Sequence, residues 1–380
     1  MDYLIMGVII IKMRLGNRVV QVLMVVWTAA ITLSVWTGNP AYLLLPIVVF
    51  AINEVGYCIA GFDMLPSSDR TEMFYDISAV ATLFHGTSHN YSEGYYKTEE
   101  DYQKLTPQEA EDQKFEKILE LLGAKPGDTI LDLGCGMGSF ERFCAKRGYK
   151  MIGFTLSSEQ RDFCQSVNVI AEVWDFRCFN EKYRHKIDHI VMMGSSEHIY
   201  TGPGSQWDSY TKKKTVVSDF LKDARDYFRK DDDRPHRIFY SGLHLNPCFC
   251  KSFGWHVMDR TYGATLFLND PAMNIVATAT DAGYRSVYQR DATKDYFMAT
   301  VLDTKHFGNP IRLHGISSIA LIIGMFIYPL LFFMWLYYIL GVWMWMFDGR
   351  FHLWPKNPPF TLKKPSERPA TLWWCVFEAL

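Results

Sequence analysis

The sequence predicts an α/β protein built on a doubly wound parallel sheet, with membrane segments at both ends. Three observations carry this: an apolar strand that opens onto closely spaced glycines, the βα alternation that follows, and apolar runs confined to the two ends of the chain. The strand is Thr129 to Leu133, followed by Gly134-Cys135-Gly136-Met137-Gly138 and a helical stretch from Ser139 to Arg147. Glycines permit a tight turn and let the backbone approach a ligand closely, and Asp132 at the strand end can orient the loop or accept hydrogen bonds. The spacing excludes two common alternatives. A dinucleotide fingerprint needs its third glycine after two intervening residues, and a P-loop needs a Lys-Ser/Thr pair; neither is present.

Alternation continues downstream. Lys150 to Phe154 reads as a strand, Ser157 to Gln160 as a capping box that opens a helix, and Asp188 to Met193 as a second buried strand. Thr215 to Phe228 reads as an amphipathic helix and Arg237 to Ser241 as a further strand. Such a sheet places its ligand crevice at the carboxyl ends of its first strands.

At the N-terminal side, Val19 to Trp36 is an eighteen-residue apolar run with Gln21 its one strongly polar member. After a short Gly/Pro break, Tyr42 to Phe62 is again long enough to cross a bilayer. The pair reads as a hairpin. Lys12, Arg14, Arg18 and Arg70 flank it while its turn is uncharged, which puts its outer ends in the cytosol. Asn53 and Glu54 inside the second run are expensive in hydrocarbon, but a polar neighbour explains them as well as a catalytic role does. A second uncharged run, Ile316 to Phe347, is too long for one simple crossing, and the basic residues after it favour a tail on the cytosolic side, the alternative being a tilted helix that crosses once and leaves the tail on the far side. The division is therefore 1–62 as anchor, 63–315 as catalytic domain, 316–347 as a membrane-embedded helix or re-entrant hairpin, and 348–380 as a cytosolic basic tail.

Composition narrows the function. Lys and Arg number 39 against 41 Asp and Glu, a net charge of -2, so no excess is available to neutralise phosphates and nucleic-acid coating is excluded. The eight cysteines form no paired CxxC set, and Cys248 and Cys250 are too close for zinc-finger spacing, so they read as free thiols with no metal site.

LDLGCGMGSF, GFTLSSEQ, WDFRCF and MGSSEHI, in that order, resemble the S-adenosylmethionine-dependent methyltransferases of the cyclopropane-fatty-acid synthase group. Within it, the paired N-terminal runs and the Glu at position 93 look most like membrane-bound sphingolipid carbon-9 methyltransferases. The resemblance covers roughly Met73 to Phe307 and implies a Rossmann-like methyltransferase domain with S-adenosyl-L-methionine as cofactor. It implies that Tyr91 and Ser92 fold over the cofactor and that Gly134, Gly136 and Gly138, with Asp132, approach its methionine part and ribose. Thr155, Leu156 and Gln160 would sit near ribose and adenine, and Asp175 and Phe176 would contact adenine. Read as residues alone, Asp175 and Phe176 are equally a loop acid and a core aromatic.

For chemistry, the resemblance makes Glu197 the acidic member of the reaction centre and aligns Tyr296 with the family's tyrosine. His244 matches the family's histidine only approximately, and a structural histidine fits as well. Cyclopropane-forming relatives hold bicarbonate with Glu, Cys, His and Tyr. Here the Cys position is Glu93, and two carboxylates disfavour a bound anion. Glu93 is then either an internal replacement for that anion or a solvated loop acid. The implied reaction is C-methylation of a lipid double bond, in a sphingoid base or an unsaturated acyl chain, through a carbocation. The substrate would be drawn from the bilayer with the catalytic domain on the cytosolic face, an endoplasmic-reticulum-like membrane in a eukaryote. The alternatives are N-methylation of an amine or lipid head group, and a membrane scaffold that retains an inactive cofactor fold.

Overall fold

The computed structural model describes residues 18–45, 48–49, 51–52, 55–56, 92–199, 210–245, 275–296 and 370–380. The expected second apolar span, the 316–347 run, Tyr91 and the aromatics Trp255, Tyr262, Phe267 and Phe297 lie outside these residues. Helix α1 covers Arg18–Thr37, and Asn39 caps the short 3-10 turn Pro40–Leu44 that follows it by accepting from the Ala41 N–H. Val25, Val35, Trp36 and Leu44 are exposed here. Among the described residues no helix is long and apolar enough to cross a membrane.

After the short helix α2 (Asp101–Lys104), α3 runs from Pro107 to Leu122. Its start is fully specified locally: Thr106 accepts from the Glu109 N–H, the Glu109 carboxylate accepts from the Thr106 N–H, and Pro107 supplies a fixed φ at the first helical position. Then follow β1 (Thr129–Leu133), α4 (Ser139–Ala145), β2 (Lys150–Thr155), α5 (Ser158–Ser166), β3 (Ala171–Val173), β4 (His189–Met193), α6 (Tyr210–Arg225), β5 (Arg237–Leu245), α7 (Ile275–Asp281), β6 (Tyr284–Asp291) and β7 (Ala370–Ala379).

The seven strands form one sheet in the order β3-β2-β1-β4-β5-β7-β6. β1 to β5 are parallel neighbours, whereas β7 runs antiparallel to both β5 and β6. The sheet is therefore mixed, which corrects the all-parallel expectation. The chain segment expected to end as a basic tail is corrected too: Ala370–Ala379 is an interior strand, paired with β5 from Ala370↔Leu245 to Glu378↔Arg237.

Strand residues alternate between two cores. Leu131, Leu133, Ile190, Met192, Ile238, Tyr240, Cys375 and Phe377 face α6 and α7, packing on Val217, Leu221, Ala224, Ile275 and Ala279. Ile130, Val191, Phe239, Leu372, Trp374 and Val376 face α3 and α4, packing on Phe115, Ile118, Leu119, Phe140 and Phe143. Burial on both faces is why these strands read as continuous apolar runs rather than alternating ones. The same alternation turns Asp132 toward α3 and α4, the face of Ile130.

Candidate active site

The site is assembled at the carboxyl ends of β1, β2, β4 and β5. β1 leads into the glycine loop, where Gly134, Gly136 and Gly138 all have positive φ. Among the described residues a Cβ built on Gly136 meets nothing within 4 Å, whereas one built on Gly134 would lie 2.4 Å from Ser195 Cβ, so the open side of the loop is at Gly136. From β2, Thr155 Oγ1 donates to Gln160 Oε1 at 2.7 Å. Ser157 does cap α5 by accepting from the Gln160 N–H, but the Gln160 side chain turns to Thr155, so the expected capping box is half formed. Leu156 joins these two residues in the turn between β2 and α5.

Asp132 is buried beneath the loop, and burial pushes its carboxyl up to about 7, opposed by a side-chain hydrogen bond with Glu141. Glu141, on α4, is buried too, and burial together with the Asp132 charge drives this group well above its ordinary range. Asp175 follows β3 and is gripped by Arg177, whose Nη2 lies 2.6 Å from Oδ2. Burial would raise its pKa, but the Arg177 hydrogen bonds outweigh that and hold the carboxyl low. Phe176 is buried and packs edge-on against Phe220 of α6, in the core. This pair thus has the features of the loop acid and core aromatic that its residues alone allowed.

Two further buried carboxylates lie at this end of the sheet. Glu197 lies in the 3-10 turn Ser196–His198 just after β4 and is buried. Its Oε1 accepts from the Leu243 backbone N–H at 2.8 Å. Glu93 lies ahead of α3 and is 2% exposed, which excludes a solvated loop acid. Its Oε1 accepts from Ser241 Oγ at 2.7 Å and from Trp374 Nε1 at 2.5 Å. One stretch of β5, Ser241-Gly242-Leu243, therefore holds both acids. Gly242 is required there by close approach: a Cβ would lie 2.4 Å from Ser196 Oγ.

His244, fully buried in β5, has Nε2 3.1 Å from the Tyr240 hydroxyl and its ring edge-on to Tyr240. Tyr296 is partly buried against the α3-β7 core. Ser92 accepts from the Lys114 ammonium. Residue-pattern reasoning missed Lys114 and Trp374, although the apolar, aromatic run Leu372 to Phe377 was a usable strand signal.

Burial pushes the Glu197 carboxyl up to about 7, opposed by the Leu243 N–H and reinforced by the Glu93 charge. Between the ordinary glutamate pKa and about 7, folded chains hold a proton that unfolded chains have released, so stability falls as pH rises through that window. The share from Glu197 is of order 3 kcal/mol. Glu197→Gln should remove this share while the share from Asp132 remains, which denaturant unfolding at pH 5 and pH 7.5 would show as a reduced difference between the two pH values. An unchanged difference would remove Glu197 as a titrating group.

A glycine loop after the first strand and a seven-stranded sheet with an antiparallel seventh strand define a Rossmann-like methyltransferase fold. Comparison with known proteins is consistent: residues 64–223 match the model of the family described as mycolic acid cyclopropane synthetase. The chain is 30% identical over 143 residues to methoxy mycolic acid synthase MmaA3 of Mycobacterium tuberculosis, covering 34% of this chain and 45% of that protein. It is 31% identical over 125 residues to the cyclopropane-fatty-acyl-phospholipid synthase of Escherichia coli, covering 32% and 30%. The chain thus spans less than half the length of these relatives. The solved structure of cyclopropane synthase MmaA2 from M. tuberculosis superposes with a TM-score of 0.56 at 16% identity, covering 82% of this chain and 98% of that one. The [4+2]-cyclase SpnF superposes with the same TM-score at 11% identity, so the fold alone does not specify a reaction.

Proposed function

We propose that this chain is an S-adenosylmethionine-dependent C-methyltransferase that acts on a double bond of a lipid chain, either a sphingoid base or an unsaturated acyl group. The observation that carries the reading is the pair of buried acids, Glu93 and Glu197, held by β5 beside the glycine loop. The match over residues 64–223, to a family named for lipid cyclopropanation, supports both enzyme and cofactor.

The open space at Gly136 and the buried acids beneath the loop fit a cationic cofactor. When bound, S-adenosylmethionine supplies an electrophilic methyl on sulfur. Gly134, Gly136 and Gly138 would hold its methionine part, and Thr155 and Gln160 its ribose. Attack by the alkene π electrons on that methyl carbon would break the methyl–sulfur bond, whose electron pair stays on sulfur as a neutral thioether, and would leave a carbocation on the lipid. Glu93 and Glu197 place negative charge beside it, and one of them takes the proton whose loss quenches it. A buried, water-poor site strengthens that attraction and keeps water from capturing the cation.

Incubation with labelled methyl donor and membrane lipids, followed by mass spectrometry, tests the reading. A lipid class should gain about 14 mass units on a chain carbon. Label on nitrogen would favour the amine reading instead, and no labelled product in any lipid class would refute the assignment.

The loop itself is tested by Gly136→Val. The side chain would fill the open space, so cofactor binding measured by calorimetry should be lost. A left-handed φ of +53° costs a branched residue about 1–2 kcal/mol, so the variant should remain folded.

Attachment at a bilayer suits an insoluble substrate, and the exposed apolar side chains of α1 support it. A 1–62 membrane anchor and a membrane-embedded helix or re-entrant hairpin over 316–347 belong to this reading, as does a cytosolic catalytic domain. The return of Ala370–Ala379 to the sheet that contains β6 supports an entry and exit of 316–347 on one side. Glycosylation acceptor sites engineered after Phe360 should therefore stay unmodified in microsomes, and efficient modification would indicate a single crossing.

A further inference from the structure

We propose that Lys114 is a positioning residue for this reaction, the buried counter-ion of Glu93. Lys114 sits midway along α3 and is fully buried, on the stripe with Ala110 and Ile118 that faces the sheet. A lysine there is anomalous, because a buried ammonium is tolerated only with partners. Its Nζ donates to Ser92 Oγ, the residue next to Glu93, and lies 4.9 Å from the centre of the Phe115 ring. The carboxylates that act on it are Glu93 from the preceding segment, Glu111 from its own helix and Asp132 from β1, in decreasing order. Burial still pushes its pKa down, so the ammonium depends on these acids.

Glu93 in particular needs such a partner. Its hydrogen-bond donors, the Ser241 hydroxyl and the Trp374 indole, are neutral. Its charge also bears on two other buried acids, Glu197 and Asp295. Arg290 is committed to Asp295 in an ion pair. Lys114 is therefore the cation left to balance Glu93 among the described groups around it.

The test is a double-mutant cycle read by denaturant unfolding at pH 8. Lys114→Met preserves length and removes the charge, and Glu93→Gln removes the matching charge. In the Glu93→Gln background the effect of Lys114→Met on the unfolding equilibrium constant should shrink at least tenfold. Equal effects in the two backgrounds would show that Lys114 serves packing alone and would overturn the proposal. If Lys114→Met yields no folded protein, recovery of folded protein in the double variant supports the pairing, and no recovery overturns it. The role for Lys114 rests on the methyl-transfer reading. The cycle measures folding, however, so its failure would leave that reading standing, and failure of the labelled-donor test would leave the pairing measurable.

Discussion

Glu93→Gln should lower the single-turnover rate of methyl transfer by about a hundredfold or more while cofactor affinity changes much less, as expected for a group that stabilises charge in the transition state. The substitution is nearly isosteric, and the amide oxygen can still accept from Ser241 and Trp374, so the folded structure should persist. What disappears is the negative charge. The resemblance to cyclopropane-forming enzymes implies a bicarbonate site with Glu93 at its cysteine position, and on the proposed reading Glu93 takes the place of that anion. Bicarbonate depletion should accordingly leave the parent enzyme unaffected. A near-normal single-turnover rate in the variant, or a bicarbonate requirement in the parent, would show that Glu197 works with some other anion.

The second large effect concerns β7. Ending the chain after Pro369 should abolish cooperative folding of the domain, although eleven residues at the end of a sequence would ordinarily be dispensable. β7 supplies the hydrogen-bonding partner of both β5 and β6. It also buries Leu372, Trp374, Cys375, Val376 and Phe377 almost completely. Removing an interior strand leaves two unpaired edges and an open core on both faces, a state prone to aggregation. Circular dichroism during thermal unfolding would show no cooperative transition. A cooperative melt near that of the full chain would mean that β5 and β6 close without it. A milder probe is Trp374→Phe, which keeps most of the packing but leaves Glu93 without the indole N–H. Its effect should fall more on turnover than on stability.

The parts that were legible in the sequence share one physical property. β1, β2 and β4 are short apolar runs buried on both faces and bounded by turn residues, so composition alone marks them, and Gly134-Cys135-Gly136-Met137-Gly138 is a local signal. β7 was concealed by distance. Its partners are remote in sequence, and the Lys363, Lys364 and Arg368 that precede it suggested a solvated tail. Antiparallel insertion between β5 and β6 is a tertiary fact with no local signature. Lys114 was hidden for another reason: a lysine in a helix ordinarily marks the solvent face, and nothing nearby in sequence shows that Glu93 and Asp132 converge on it. Thr106-Pro107 and Glu109, by contrast, are a local helix-start signal that the sequence carries openly. Glu93 was legible only through resemblance. The sheet supplied what the sequence left open, namely that β5 ties Glu93 to Glu197.

The sheet order also bears on how the molecule is made. β6 ends at Asp291 and β7 begins at Ala370, so two adjacent strands are joined by a connection long enough to be a small domain. Contacts that close such a loop form late and slowly, because the chain loses the entropy of the whole connection before the pairing repays it. Until then the open edges of β5 and β6 are sites for mispairing and for chaperone capture. Completion of the pocket around Glu93, through Trp374, is thereby tied to the late pairing of β7. A defect in that pairing would be felt first as slow or failed maturation of the domain.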